Sequence, residues 1–261
     1  MMRRLFIFGL GYSAGRIAAA AQNDGWEVVS TGRAGTLSFD DTGAVRLALA
    51  DSDQVLSSVP PSGEGLDPVL EQYGACLAGR GLSYLSSTGV YGDCSGAWVD
   101  ESAPTGTGRR TARSEADAAW LARSARVLRL PGIYGPGRSA LDRVRQGRAQ
   151  RIDLPHQVFS RIHVDDIVAG ALLALDAPAG AYNLSDDQPA SQNAVIEEAS
   201  RLLGSAPPPL LSLEAAQLSP QARAFYAENR RVASGKAKRV LGWSPRYASY
   251  REGLGALLAT A

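Results

Sequence analysis

Leu5-Phe6-Ile7-Phe8-Gly9-Leu10-Gly11-Tyr12-Ser13-Ala14-Gly15 decides the fold of this 261-residue chain. Four apolar residues read as a short buried strand, and the glycines turn the chain straight into a helical run at 16–21. Gly9 to Ala14 fits G-x-G-x-x-A, the strand–turn–helix spacing of a dinucleotide site, with Gly15 as an alternative last glycine. The first glycine permits the tight turn, the second lets backbone approach a pyrophosphate, and the small third residue lets helix meet sheet. The helix start then offers N–H groups and a positive dipole end to phosphate. Gly9, Gly11, Tyr12, Ser13 and Ala14 are the expected cofactor contacts.

Outward from this turn, short apolar runs alternate with helical patterns over the first 185 residues, the signature of a parallel sheet. Strands are expected at 5–8, 27–30, 54–59, 82–86, 127–130 and 181–184, with a shorter one at 37–39. Asp67-Pro68 places a capping carboxylate before a first-turn proline. A second helix is expected from Asp165, with an apolar stripe through Ile167, Val168, Ala171, Leu172 and Leu175. A third runs from Ser191 to Leu203 and stops at Gly204. Pro207-Pro208-Pro209 reads as a stiff connector. The fold class is α/β, a Rossmann-type doubly wound parallel sheet with a small C-terminal substrate lobe. The dinucleotide-binding part is expected at 1–132 plus 158–185 and the lobe at 133–157 plus 186–261.

The second strand ends at Ser30-Thr31-Gly32-Arg33, and no acid occurs between Glu27 and Asp40. A carboxylate there grips the ribose hydroxyls of NAD and repels a 2′-phosphate. Arg33 can hold that phosphate and Thr31 can hydrogen-bond it, so NADP is preferred, with NAD as the alternative. Val59 and Pro60, at the end of the third strand, complete the expected cofactor wall together with Ser86.

A net charge of +1 gives no sign of a nucleic-acid or membrane partner. Eleven arginines nonetheless stand against three carboxylates between Arg109 and Arg151, which suits either an anionic small molecule or a solvated face. That region lacks the interleaved aromatics of an RNA-binding surface. Cys76 and Cys94 are too few for a disulfide framework and fit reduced thiols in the cytoplasm. Cys76 reads as packing, and Cys94 as a loop residue ahead of a substrate-side role. Met1-Met2-Arg3-Arg4 and the apolar run after it mimic a secretory signal, but glycines break that run, so it is read as core. His163 and His156 are read as structural.

Four further segments occur in a telling order: Leu85-Ser86-Ser87-Thr88-Gly89-Val90-Tyr91-Gly92, Arg129-Leu130-Pro131-Gly132-Ile133-Tyr134-Gly135-Pro136, Arg161-Ile162-His163-Val164-Asp165-Asp166 and Leu241-Gly242-Trp243-Ser244-Pro245. With the glycine turn, they make residues 4–256 resemble the short-chain dehydrogenase/reductase superfamily, in its NAD(P)-dependent epimerase/dehydratase branch. The resemblance implies that Ser87, with Thr88 beside it, orients a substrate oxygen. It also implies a Tyr-x-x-x-Lys pair on the next helix. No tyrosine here is followed four residues later by lysine, and Lys236 and Lys238 are the only lysines. Alignment puts Arg109 at the tyrosine and Arg113 at the lysine. Arginine stays protonated and cannot act as a base.

Two classes of function therefore stay open. One is an oxidoreductase or epimerase on a polar, anionic small molecule, possessing a nucleotide-sugar or other phosphate-bearing character. In it Ser87 and Thr88 orient the oxygen, Arg113 stabilises a developing oxyanion, and water or Tyr134 relays the proton. Tyr91, Arg109 and Arg138 are the expected substrate contacts, although Tyr91 and Tyr134 also read as packing residues between glycines. The other class is a non-catalytic sensor that reports NADP occupancy. Oligomeric state is not legible.

Overall fold

The computed structural model describes residues 2–62, 67–108 and 111–260. Side chains alternate across a strand, so Leu5 and Ile7 face one side of the first strand, Arg4–Phe8, while Phe6 and Phe8 face the other. All four are buried. A strand apolar on both faces belongs inside a sheet covered on both sides. Six parallel strands form that sheet, in the order Gly180–Asn183, Arg126–Leu130, Gly81–Ser87, Gln54–Ser57, Arg4–Phe8, Glu27–Ser30. Leu5 and Ile7 pack with helices Tyr12–Asn23 and Val164–Ala174, and Phe6 and Phe8 pack with Tyr73, Tyr84 and Trp120.

The chain lays Glu27–Ser30 on one side of the first strand and then crosses to lay Gln54–Ser57 on the other. Strand order reverses there, which opens a crevice beyond the carboxyl ends of the strands. The glycine turn follows Phe8, Ser58 follows the third strand, and Ser87 and Thr88 end the fourth, all at that edge.

A third apolar cluster joins helices Ala140–Arg145, Gln192–Leu202 and Tyr250–Ala259 through Leu141, Val195, Tyr250 and Leu254. It joins Tyr134, Ala140 and Leu141 to residues more than 50 positions later in the chain.

Some boundaries differ from the sequence expectation. Residues 37–39 form no strand; Leu37 makes a single bridge to Thr31, because the chain is folded back tightly by Thr36, whose hydroxyl bonds both the N–H and the carbonyl of Ser30. The third strand stops at Ser57, since Ser58 turns its hydroxyl to the Gly9 carbonyl. The helix expected from Asp165 begins at Val164, with His163 Nδ1 accepting from the Asp165 N–H at 3.2 Å as its cap. Beyond the three prolines, Leu210–Leu211 pairs with Arg151–Ile152. No helix among the described residues is long and apolar enough to cross a membrane.

Candidate functional site

The glycine turn is built by backbone and by Thr31. Gly9 takes a φ of +80°, and a Cβ there would sit 3.0 Å from Val59 Cγ2 and 3.1 Å from Ser58 Oγ. Glycine is required for both reasons. A Cβ on Gly11 would meet nothing within 4 Å, so its backbone faces open space. The helix it opens has no side-chain cap and no acid in its first turn, which leaves its leading N–H groups to another acceptor. The residues present thus fit a pyrophosphate.

Thr31 is only 1% exposed, and its Oγ1 accepts from the Gly9 N–H at 3.3 Å while its carbonyl accepts from Leu10. Its hydroxyl therefore braces the turn from behind, and the expected hydrogen bond from Thr31 to a 2′-phosphate is corrected on that ground. Arg33 is exposed and has no ion pair or hydrogen bond among the described residues. Val59 packs against Gly9, while Pro60 is exposed.

A cleft of about 460 Å³ runs from Gly11, Tyr12, Ser13 and Ala14 past Ser86, Ser87 and Thr88 to Arg113 and Arg138. Ser87 Oγ accepts from the Gly89 N–H at 3.1 Å and holds the tight turn after the fourth strand. The Ser86 hydroxyl, by contrast, donates to Asp117 Oδ2 at 2.6 Å. Arg113 Nη1 donates to the Tyr84 hydroxyl at 2.6 Å and, at 3.4 Å, to the Leu85 carbonyl. Burial pushes that Tyr84 phenol up to about 12, against the pull of Arg113. Tyr12 donates to the Pro136 carbonyl at 3.1 Å, and Arg16 and Arg138 lie over its ring at 4.1 and 5.7 Å.

Neither phenol from the glycine-flanked motifs lines this cleft, although Tyr134 lines a second cavity beside it. Tyr91 is 1% exposed; it donates to Asn183 Oδ1 at 2.8 Å and accepts from Arg129 Nη1 at 2.9 Å. Its expected contact with substrate is therefore corrected. Tyr134 is buried under helix Tyr250–Ala259, close enough that a Cβ on Gly253 would lie 2.0 Å from its oxygen. That hydroxyl has no hydrogen-bond partner among the described residues, and burial drives its pKa far above the ordinary phenol value. Tyr134 is not among the residues lining the main cleft, and the expected proton relay is corrected on that ground. Arg109, expected at the substrate, lies outside the described residues.

Sequence reading missed Glu228 and Arg230, which line the same cleft and pair at 3.0 Å. It also missed Phe159 and Phe225, whose rings stack at 4.7 Å. No motif marks these residues. A second cavity of about 460 Å³ adjoins the first, sharing Ile133, Arg138, Phe159 and Phe225 with it. Arg138, Arg143, Arg148 and Arg161 line it, and its one carboxylate, Asp142, is committed to the Ser139 capping box. Neither Arg138 nor Arg143 forms an ion pair among the described residues. Among the described residues no His/Cys/Asp/Glu cluster could hold a metal ion.

No family model matches the chain. It is 30% identical over 243 residues to protein YeeZ of Escherichia coli K12, covering 79% of this chain and 86% of that one. A 34% match over 141 residues to the 3-diazoavenalumate denitrifying reductase of a Streptomyces species covers 49% of this chain and 45% of that protein. Among solved structures, a functionally unknown conserved protein from Silicibacter pomeroyi superposes with a TM-score of 0.88 at 38% identity, over 100% of this chain and 99% of the other. The dTDP-glucose 4,6-dehydratase of Bacillus anthracis, in complex with NAD, superposes with a TM-score of 0.77 at 14% identity, over 98% and 96%.

Proposed function

We propose that this chain, which belongs to the family of protein YeeZ and shares the fold of NAD-dependent epimerases and dehydratases, is an oxidoreductase or epimerase using a nicotinamide dinucleotide on a polar, phosphate-bearing small molecule such as a nucleotide sugar. The observation that carries this reading is the pair of adjoining cavities, one starting at an uncapped glycine turn, the other lined by four arginines with no free carboxylate among the described residues. Positive charge without a counter-charge in a partly enclosed space favours an anionic ligand. The substrate then sits on the lobe of 133–157 and 186–261, with its reacting carbon turned toward Ser87 and Thr88. Structural neighbours with a named activity include a dTDP-glucose 4,6-dehydratase and a UDP-glucose 4-epimerase, which supports the catalytic reading above the sensor reading.

When bound, the dinucleotide supplies hydride exchange with the substrate carbon. Gly9, Gly11 and the helix start, with Tyr12, Ser13 and Ala14, hold its pyrophosphate. Ser87 and Thr88 orient the reacting oxygen, and Arg113 and Arg138 place positive charge along the cleft. The missing Tyr-x-x-x-Lys pair predicts slow turnover, because positioned general acid–base groups typically contribute ~10²–10⁴-fold.

For the cofactor we favour NADP over NAD, as Arg33 is exposed, has no ion pair among the described residues, and the strand end beside it carries no acid. The test is calorimetric titration of both dinucleotides into wild type and Arg33→Ala. Losing one charge-assisted contact costs about 1.5–3 kcal/mol, so NADP affinity is expected to fall roughly 10- to 100-fold while NAD affinity holds. An equal loss for both would remove the phosphate assignment.

A further inference from the structure

We propose that Glu228 is the proton acceptor of the cleft, in place of the absent tyrosine, and that Asn229 is the positioning residue that holds it there. The proposal rests on the oxidoreductase reading above. Among the described residues lining the main cleft, Glu228 is the one carboxylate. Arg113, Arg138 and Arg230 share that wall but cannot give up or take up a proton. The Tyr12 hydroxyl donates to a backbone carbonyl, and the Ser87 hydroxyl accepts from the Gly89 N–H.

Glu228 is also held in an unusual way. It is 8% exposed, so it is no solvated surface acid, and Arg230 Nη1 sits 3.0 Å from its Oε2. Between the two, Asn229 ties three loops together. Its N–H donates to Asp93 Oδ1 at 2.8 Å, and its carbonyl accepts from the N–H groups of Cys94 and Gly96 at 3.0 and 2.9 Å. Its side-chain Oδ1 accepts from the Val158 N–H at 3.2 Å, and Nδ2 donates to the His156 carbonyl at 3.0 Å.

The flanking residues repeat the pattern. Arg230 and Arg231 donate to the carbonyls of Gly92 and Gly96, and Gln157 Nε2 donates to the Glu228 carbonyl at 2.8 Å. Gly92 itself is folded tightly after Ser87–Tyr91, with φ at +67° and a Cβ position 2.8 Å from Gly108 Cα. The strap 228–231 is therefore fixed to the loop that leaves Ser87 and Thr88, and it presents its carboxylate to the same cleft.

In the oxidising direction, the substrate C–H bond breaks with both its electrons passing to the oxidised nicotinamide dinucleotide. The hydroxyl O–H bond breaks with its proton passing to the Glu228 carboxylate, and a C=O bond forms. The substrate is oxidised and the dinucleotide reduced. Reduction runs the same steps backwards.

The experiment follows reduced-dinucleotide absorbance with NADP⁺ and a panel of UDP- and dTDP-sugars and small secondary alcohols. Wild type, Glu228→Gln, Glu228→Ala and Asn229→Ala are compared, with NADP⁺ affinity measured separately. Glu228→Gln is expected to slow turnover ~10²-fold or more while NADP⁺ affinity stays within about threefold. Added formate, a free carboxylate, is expected to restore part of the rate in Glu228→Ala. That rescue is a response that lost packing would not give, and it remains readable if the Gln variant folds poorly. Asn229→Ala is expected to lower kcat more than it raises KM, and to show no formate rescue. Wild-type turnover matched by Glu228→Gln, or absent formate rescue, overturns the assignment and leaves the oxidoreductase reading standing. A wild type that binds NADP⁺ yet neither reduces it nor converts any sugar of the panel to its epimer, followed by chromatography, overturns both, and does so without reference to a variant.

Discussion

The guanidinium of Arg129 forks onto Asp117, Nε to Oδ2 at 3.1 Å and Nη2 to Oδ1 at 2.8 Å, and turns Nη1 to the Tyr91 phenol. Ser86 and Asn183 complete the network. Both charged partners are almost wholly buried. Burial alone would weaken the charge on Arg129, but the hydrogen bonds and charge of Asp117 raise its pKa above the ordinary arginine value. Such a pair adds little net stability over a well-packed apolar one, yet removing one member strands a buried charge. Arg129→Met is therefore expected to lower unfolding stability in urea by about 3–5 kcal/mol. The double variant Arg129→Met/Asp117→Leu should lose clearly less than the sum of its parts. Strict additivity would show that the pair is not coupled. The network also commits the hydroxyl protons of Tyr91 and Ser86 to partners inside the fold.

Helix Pro68–Tyr73 is only six residues long, and its start depends on Asp67. Asp67 Oδ1 accepts from the N–H groups of Val69 and Leu70 at 3.0 Å each, and Oδ2 accepts from Trp120 Nε1 at 2.8 Å. Cap loss costs about 0.5–2 kcal/mol, and a stranded buried donor about 1–3. Asp67→Ala is thus expected to cost roughly 2–4 kcal/mol in chemical denaturation. Asp67→Ser, which keeps the cap and loses the indole partner, should fall between. The Asp-Pro pair announces this cap in the sequence, but nothing announces Trp120, which comes 53 residues later. The same limit runs through the molecule. Apolar pairs on both faces of the strands and the glycine turn are local signals, so the sheet and the start of the cleft are legible. Tyr91 and Tyr134 look like site residues because glycines flank them, and only tertiary packing shows that both are buried. Glu228 and Arg230 carry no local signal, since the strap that aims them is set by bonds to loops more than 70 residues away.

At the scale of the whole molecule, two buried carboxyls make stability depend on pH. Asp186, on the segment that leaves the last sheet strand, is 2% exposed, and burial pushes its pKa up to about 8 against the pull of the Arg161 guanidinium. Asp166 is pushed up to about 6 by burial, against hydrogen bonds from the N–H groups of Arg246 and Tyr247. An unfolded aspartate has a pKa of about 3.9. Between that value and the folded one, the native state holds a proton the unfolded chain has lost. Stability from such a group is complete below about pH 4 and declines as pH rises through the folded pKa. Buried His163 works in the opposite sense, because burial lowers its pKa, and its contribution is lost as pH falls below the ordinary histidine range. Between about pH 7 and 8 the histidine is mostly neutral in both states and Asp166 has largely ionised, so Asp186 dominates. One proton sets a ceiling of about 1.4 kcal/mol per pH unit, worth ~2–4 °C per pH unit in Tm for a chain of this size. Calorimetric Tm is therefore expected to fall across that window in wild type and to stay nearly flat in Asp186→Asn, whose amide has no proton to lose. A wild-type Tm that rises from about pH 7 to 8 would show that Asp186 is already ionised in the folded protein.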